Sequence, residues 1–161
     1  MKRIGFVLML FLGVSMIMGC SKDADTIFDE QTTEIEEYIA DKGWTDTTGI
    51  FRNNQYTGII FYLEEEGTGV DYPTENATVT VHYEGRLLDG SKFDSSFDRG
   101  QPSTFPLSNV ITGWTWGIPK FRKGDKGYLV IPSKYAYGSQ KKTGIPSNSV
   151  LVFYIEMIDF D

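Results

Sequence analysis

The sequence has one cysteine, Cys20, and one histidine, His82, in 161 residues. A single cysteine excludes any internal disulfide framework, so the fold must stand on its apolar core. A single histidine leaves no Ser-His-Asp or Cys-His set, and no residues have the spacing of a metal site. Strand alternation puts His82 on the face opposite Val81 and Tyr83, where it reads as a surface residue. Phosphate-binding loops are missing too. Arg99-Gly100-Gln101 follows Asp98, but neither the strand nor the helix such a loop needs is in place. Basic charge is short, with 15 Lys and Arg against 22 Asp and Glu and a net charge of −7. Nucleic-acid binding requires basic patches, so that class is set aside. Covalent, metal and nucleotide chemistry go with it, and no cofactor is expected. There are no internal repeats.

A long apolar run occurs only once, from Ile4 to Gly19, behind Lys2 and Arg3. It is too short for a comfortable membrane span and ends in small residues, the pattern of a secretory signal over residues 1–19. Ile17-Met18-Gly19-Cys20 resembles the bacterial lipobox, in which the cysteine is lipidated and becomes the new N-terminus. The alternative is an uncleaved anchor helix with an incidental cysteine. The expectation is an exported protein, lipid-anchored at Cys20 to the outer membrane, on its periplasmic or cell-surface face. The signal holds two basic residues and no acids, so its removal leaves a net charge of about −9. Attachment would then rest on acyl chains, not on attraction to anionic lipid. Ser21-Lys22-Asp23-Ala24-Asp25 resembles the surface-export signal of lipoproteins in Bacteroides-like bacteria; a solvated spacer is the alternative.

Residues 20–57 read as a spacer with a short helix at about 29–42. Acids open that helix, Lys42 closes it and Gly43 stops it. Phe28, Thr32, Ile35, Tyr38 and Ile39 form a narrow apolar stripe, expected to pack on the chain's own domain because so short a helix is marginal alone. Residues 43–57 read as a linker with one strand near Ile50-Phe51. The domain spans 58–161 and is α+β: a strongly bent antiparallel β-sheet wrapped around a short helix. Strands are expected at Gly58–Leu63, from Val79, at Tyr128–Pro132 and at Val150–Ile158, with a hairpin turn at Asp89-Gly90. A brief helical piece runs from Trp114 to Phe121, limited by Pro119. The long loop Ser133–Asn148 reads as functional. Aromatics are plentiful, and the stretch 79–114 can turn several of them and one carboxylate, Asp94, toward a common apolar pocket.

The strings VTVHYEGRLLDGSKFDSS, VITGWTWGI, YLVIPSKYAYG, GIP and LVFYIEMI follow one another between Gly58 and Asp161. In that order they resemble an FKBP-type peptidyl-prolyl cis-trans isomerase, here in a lipoprotein form as found in Bacteroides-like bacteria. The resemblance implies a five- or six-stranded sheet and a substrate proline resting on the indole of Trp114. Tyr83, Phe93 and Phe153 would be the walls, with Val110 and Ile111 beside the floor. The Ile111 N–H and the Tyr137 hydroxyl would hold substrate carbonyls, and Ile145 would close the far side. Asp94 would lie near the twisting amide, tied to Tyr83 or Arg99; Arg99 and Phe105 complete the implied substrate-binding set. Implied partners are proline-containing polypeptide clients and macrolide inhibitors, the protein acting as a monomer. Tyr83, Phe93 and Phe153 could each also be plain core.

Four departures from the family pattern stand out. Ser103 takes the place of an aromatic wall and Trp116 that of an acid. The link Leu107–Val110 is two residues shorter than in small eukaryotic members, and Pro119 shortens the helix. Ser103 and Trp116 imply weaker macrolide binding. Two other readings stay open: a catalytically weak module that binds proline-containing segments, and an interaction lipoprotein acting through its N-terminal helix.

Overall fold

The computed structural model describes residues 22–44, 50–52 and 58–161. The stretch read as a signal and Cys20 lie outside the described residues. In chain order the elements are helix α1 (Ala24–Asp41), strands β1 (Ile50–Arg52), β2 (Ile60–Glu65), β3 (Thr78–Leu87), β4 (Lys92–Ser95) and β5 (Ser103–Pro106), helix α2 (Thr112–Gly117), then β6 (Lys126–Ile131) and β7 (Leu151–Phe160). Single 3-10 turns lie at Leu107–Asn109, Ile118–Lys120 and Ser133–Tyr135.

All strand pairs are antiparallel, in the order β1-β2-β6-β7-β3-β4, with β5 sharing the β4 edge of β3. The sheet thus has seven strands, against the five or six the resemblance implies, because β1 and β5 both join it. Where β4 gives way to β5 along β3, Ser96 fills the gap. Its N–H donates to the Tyr83 carbonyl at 2.9 Å and its Oγ accepts the Tyr83 N–H at 2.8 Å.

The alternation in β3 works as its sequence predicts: Val79, Val81, Tyr83 and Gly85 are buried, while Thr80, His82 and Glu84 face the other way. His82 is less free than a surface residue. Its ring stacks on Phe97 at 4.7 Å and its Nδ1 bonds Ser96 Oγ at 2.9 Å. In β7, Leu151, Phe153, Ile155 and Met157 enter the main core, but Val152 is buried as well. The reason is α1, which covers the second sheet face. Ile35 and Ile39 pack there with Ile60, Val130, Val150 and Val152. Burying these two isoleucines contributes roughly 3–6 kcal/mol, which holds a helix that is marginal alone.

α1 begins five residues before the Asp29 start expected from the sequence and ends at Asp41. The cap is Asp23, whose carboxylate accepts the Thr26 N–H at 2.8 Å, so Asp29 falls inside the second turn. Asp23 is therefore the cap of a helix and Asp25 lies in its first turn. Gly43, at φ +67°, supplies the left-handed stop.

α2 starts at Thr112, two residues before the expected Trp114, and gives way to a 3-10 turn at Ile118 that contains Pro119. It lies close on β6. A Cβ on Gly113 would stand 2.4 Å from Ile131 Cγ2, and one on Gly117 would stand 2.7 Å from Leu129 Cδ1. On the opposite side of the domain Asp125, 1% exposed, accepts the N–H groups of Gly67 and Arg122, each at 2.7 Å. That buried carboxylate ties the turn after β2 to the turn before β6.

Candidate active site

Trp114 is the floor of the site. It is 4% exposed, the third residue after the cap of α2, and Gly113 beside it allows the close approach to β6 that sets its depth. Three rings stand nearly perpendicular to the indole: Tyr83 at 5.2 Å, Phe153 at 5.2 Å and Phe105 at 5.7 Å. Edge-to-face pairs at these distances are favourable beyond the area they bury. The indole Nε1 is buried, with no hydrogen-bond partner among the described residues. Phe93 joins the set through Phe153, centroids 5.7 Å apart.

Each wall comes from a different element. β3 supplies Tyr83, β4 Phe93, β5 Phe105 and β7 Phe153, and the curvature of the sheet brings them together. Gly85 makes room for them, since a Cβ there would stand 2.5 Å from Phe93 Cε2 and 3.0 Å from Phe153 Cε1. Val110 and Ile111 pack against the same core at the N-terminal end of α2. Ile111 is the cap of that helix, and among the described residues its N–H meets no acceptor. Opposite it the loop Ser133–Asn148 brings half-buried Tyr137 and buried Ile145 to the same cluster. The tip of that loop touches the Phe93 wall: a Cβ on Gly144 would stand 3.2 Å from Phe93 Cβ.

One polar edge borders this apolar pocket. Tyr83 Oη donates to Asp94 Oδ2, and Arg99 Nη1 donates to Asp94 Oδ1. Arg99 Nη2 donates to Tyr83 Oη at 3.0 Å and to Ser103 Oγ at 3.3 Å. Asp94 is thus tied to both Tyr83 and Arg99, and Ser103 extends the network where an aromatic wall was expected. Burial pushes the Asp94 carboxyl up, but the hydrogen bonds from Tyr83 and Arg99, with the guanidinium charge, outweigh it and hold the pKa below the usual carboxylate value. Burial, reinforced by the bond to Asp94, pushes the Tyr83 phenol above its ordinary value. Trp116 is half-buried beside Tyr135, ring centroids 5.5 Å apart, and so lies at the root of the loop.

The residues the resemblance implies for the site, Tyr83, Phe93, Asp94, Arg99, Phe105, Val110, Ile111, Trp114, Tyr137, Ile145 and Phe153, lie in this cluster or on its polar edge, whereas His82 faces the other side of β3. Gly85, Ser96 and Gln31 were not singled out. Gly85 could have been suspected, as a glycine in the middle of an apolar-alternating strand marks a close approach. Gln31 is four residues before Ile35 and eight before Ile39, so helical spacing puts all three on one line; its polarity hid it.

Fold and site together define a class: a bent antiparallel sheet closed over a short helix, with an aromatic cluster around Trp114 bordered by a polar edge, and no group of His, Cys, Asp or Glu among the described residues that could hold a metal ion. A family model described as FKBP-type peptidyl-prolyl cis-trans isomerase matches residues 69–158. FkpA from Escherichia coli (strain K12), named an FKBP-type peptidyl-prolyl cis-trans isomerase, is 47% identical over 103 residues, 64% of this chain and 38% of its own length. FkpA from Aeromonas hydrophila is 42% identical over 145 residues, 90% of this chain and 52% of its own. The chain therefore spans about half or less of these curated relatives. Among solved structures, a peptidyl-prolyl cis-trans isomerase from Pseudomonas syringae pv. tomato is similar at TM-score 0.70 and 33% identity, covering 89% of this chain and 99% of that one. The chain belongs to the FKBP-type peptidyl-prolyl cis-trans isomerase family.

Proposed function

We propose that this protein catalyses rotation about X-Pro peptide bonds in exported polypeptides and so assists their folding. The observation that carries this reading is the Trp114 floor with three perpendicular aromatic walls, bordered by the polar edge of Tyr83, Asp94 and Arg99. Amide rotation has a barrier of roughly 18–20 kcal/mol, set by resonance between the nitrogen lone pair and the carbonyl. No bond need be made or broken, so it is enough to bind the twisted amide better than the planar one. The planar amide is the more polar and loses more on leaving water, which an apolar pocket turns to advantage. In this reading the proline ring lies on Trp114 between Tyr83, Phe93 and Phe153, with Phe105, Val110 and Ile145 completing the enclosure. The Ile111 N–H and the Tyr137 hydroxyl hold carbonyls on the fixed side of the bond. Asp94, oriented by Tyr83 and Arg99, faces the amide that turns. X-Pro bonds isomerise unaided over tens to hundreds of seconds, so acceleration matters to folding.

The setting is part of the proposal. The basic, apolar and small-residue pattern of residues 1–20 supports an exported lipoprotein of the Bacteroides-like type, anchored to the outer membrane through Cys20 and working as a monomer. Macrolide inhibitors would enter the same pocket, less tightly because Ser103 leaves one side open.

The test is cis-to-trans isomerisation of Leu-Pro and Phe-Pro peptides by residues 20–161 carrying Cys20→Ser. Acceleration that disappears in the Phe93→Ala, Asp94→Ala double variant supports the enzyme and its pocket. A folded protein that binds the peptides without accelerating exchange would instead make it a binding module. For the anchor, the full chain should carry fatty acid and fractionate with membranes, and Cys20→Ser should abolish both.

A further inference from the structure

Gln31 on α1 is 4% exposed, and both ends of its side chain are used. Its Oε1 accepts the Ser133 N–H at 2.9 Å, and its Nε2 donates to the Asn148 carbonyl at 2.7 Å. These are the first and last residues of the pocket loop. The bonds continue through the loop itself: the Gly138 N–H donates to the Ser133 carbonyl at 2.8 Å, and the Asn148 N–H donates to the Gly138 carbonyl at 2.8 Å. Four hydrogen bonds therefore close a circuit through Gln31, Ser133, Gly138 and Asn148. Within the circuit each member donates once and accepts once, and the Ser133 carbonyl also accepts the Ala136 N–H at 2.9 Å. The side-chain amide cannot be reversed, since that would set donor against donor and acceptor against acceptor.

The circuit pins the loop at its root, middle and end. Tyr137 immediately precedes the middle pin, and Ile145 lies between the middle and the end. Asn148 is the one described non-glycine residue with positive φ, +57°, a left-handed conformation that asparagine adopts more readily than other non-glycine residues. Gln31 lies outside the residues the family model matches, 69–158. Ile35 and Ile39 dock α1 without it.

We propose that Gln31 is a positioning residue for the site: through this circuit α1 sets where Tyr137 and Ile145 stand in the pocket. It touches no substrate and acts only through the loop. The proposal rests on the isomerase reading for its effect on rate, but not for its effect on the loop.

The experiment compares Gln31→Leu with the unaltered full chain in mild detergent. Leucine fills similar volume and keeps α1 docked while deleting both bonds. Amides of residues 135–148 should then exchange with solvent at least about tenfold faster, with β3 and β7 amides unchanged, and kcat/KM should fall roughly tenfold. In a Tyr137→Phe background the same change should cause a clearly smaller fall, because the two residues act along one path. Equal falls in both backgrounds, or unaltered loop exchange, would overturn the proposal. If Gln31→Leu does not fold, Gln31→Asn, which keeps the amide but reaches only one partner, is read by the same criteria. Absence of catalysis by the unaltered chain would sink the isomerase reading, and loop exchange would then decide alone whether Gln31 holds the loop.

Discussion

Replacing Tyr83 by Phe deletes one oxygen and leaves the ring that stands against Trp114. The lost hydroxyl donates to Asp94 and accepts from Arg99 at 3.0 Å. A hydrogen bond to a charged group contributes roughly 1.5–3 kcal/mol when shielded. Asp94 and Arg99 are 40% and 43% exposed, so water takes over part of the role, and the loss at pH 7 should be about 1 kcal/mol. For a domain of this size that lowers Tm by roughly 2–4 °C. The loss should also depend on pH. The folded-state pKa of Asp94 is lowered, so its contribution is present above the unfolded value of 3.8 and is lost as pH falls through the folded value. Below that point the tyrosine bonds a neutral acid, and its removal should matter less than half as much. Urea unfolding of both proteins at pH 7 and at successive steps below pH 3.8, with equal m-values as a control, reads this directly. A penalty that stays constant over the whole series would show that the hydroxyl does not serve the carboxylate.

Gly85→Ala should push the Phe93 ring out of its wall, because the new Cβ would meet it at 2.5 Å. Stability should drop by about 1–3 kcal/mol, while KM for an X-Pro peptide rises about tenfold; a loss of stability with KM unchanged would separate that wall from binding. Asp125→Asn should be the most damaging polar change in the domain. One of the Gly67 and Arg122 N–H groups would face a donor, and chemical denaturation should show a loss of roughly 2–4 kcal/mol. A loss below about 1 kcal/mol would contradict the two-acceptor role assigned to that carboxylate.

What could be read from the sequence was what depends on neighbours along the chain. The period-2 pattern from Val79, the Asp89-Gly90 turn and the aromatic of Gly113-Trp114 each carry their own local signature, and Gly90 takes the positive φ, +86°, that such a turn requires. The strand Ser103–Pro106 was not legible, since its residues earn their conformation from pairing with Thr78–Val81. The start of α1 was misplaced because the acids at Asp29 and Glu30 look like a first turn, whereas the side chain that bonds a free N–H is Asp23. The pocket was legible as a set of residues through resemblance, as was a tie of Asp94 to Tyr83 or Arg99, but the joining of all three with Ser103 was not. Nothing local says that Arg99 would span Asp94, Tyr83 and Ser103, or that Gln31 would reach residues 102 and 117 positions away.

The two central strands, β3 and β7, are far apart along the chain, with Val79 paired to Phe160 and Leu87 to Leu151. Between them they hold Tyr83 and Phe153. Loop closure on that scale is slow, and the strands that could pair early, β3 with β4 and β5, form only one flank. While the chain emerges from a ribosome, residues 58–150 can exist with no strand between β6 and β3 and without the Phe153 wall beside Trp114. Such a chain exposes apolar strand edges until its last segment arrives. If this protein speeds the folding of others, as proposed, it would itself be a late folder and, until β7 docks, a client of whatever guards nascent chains.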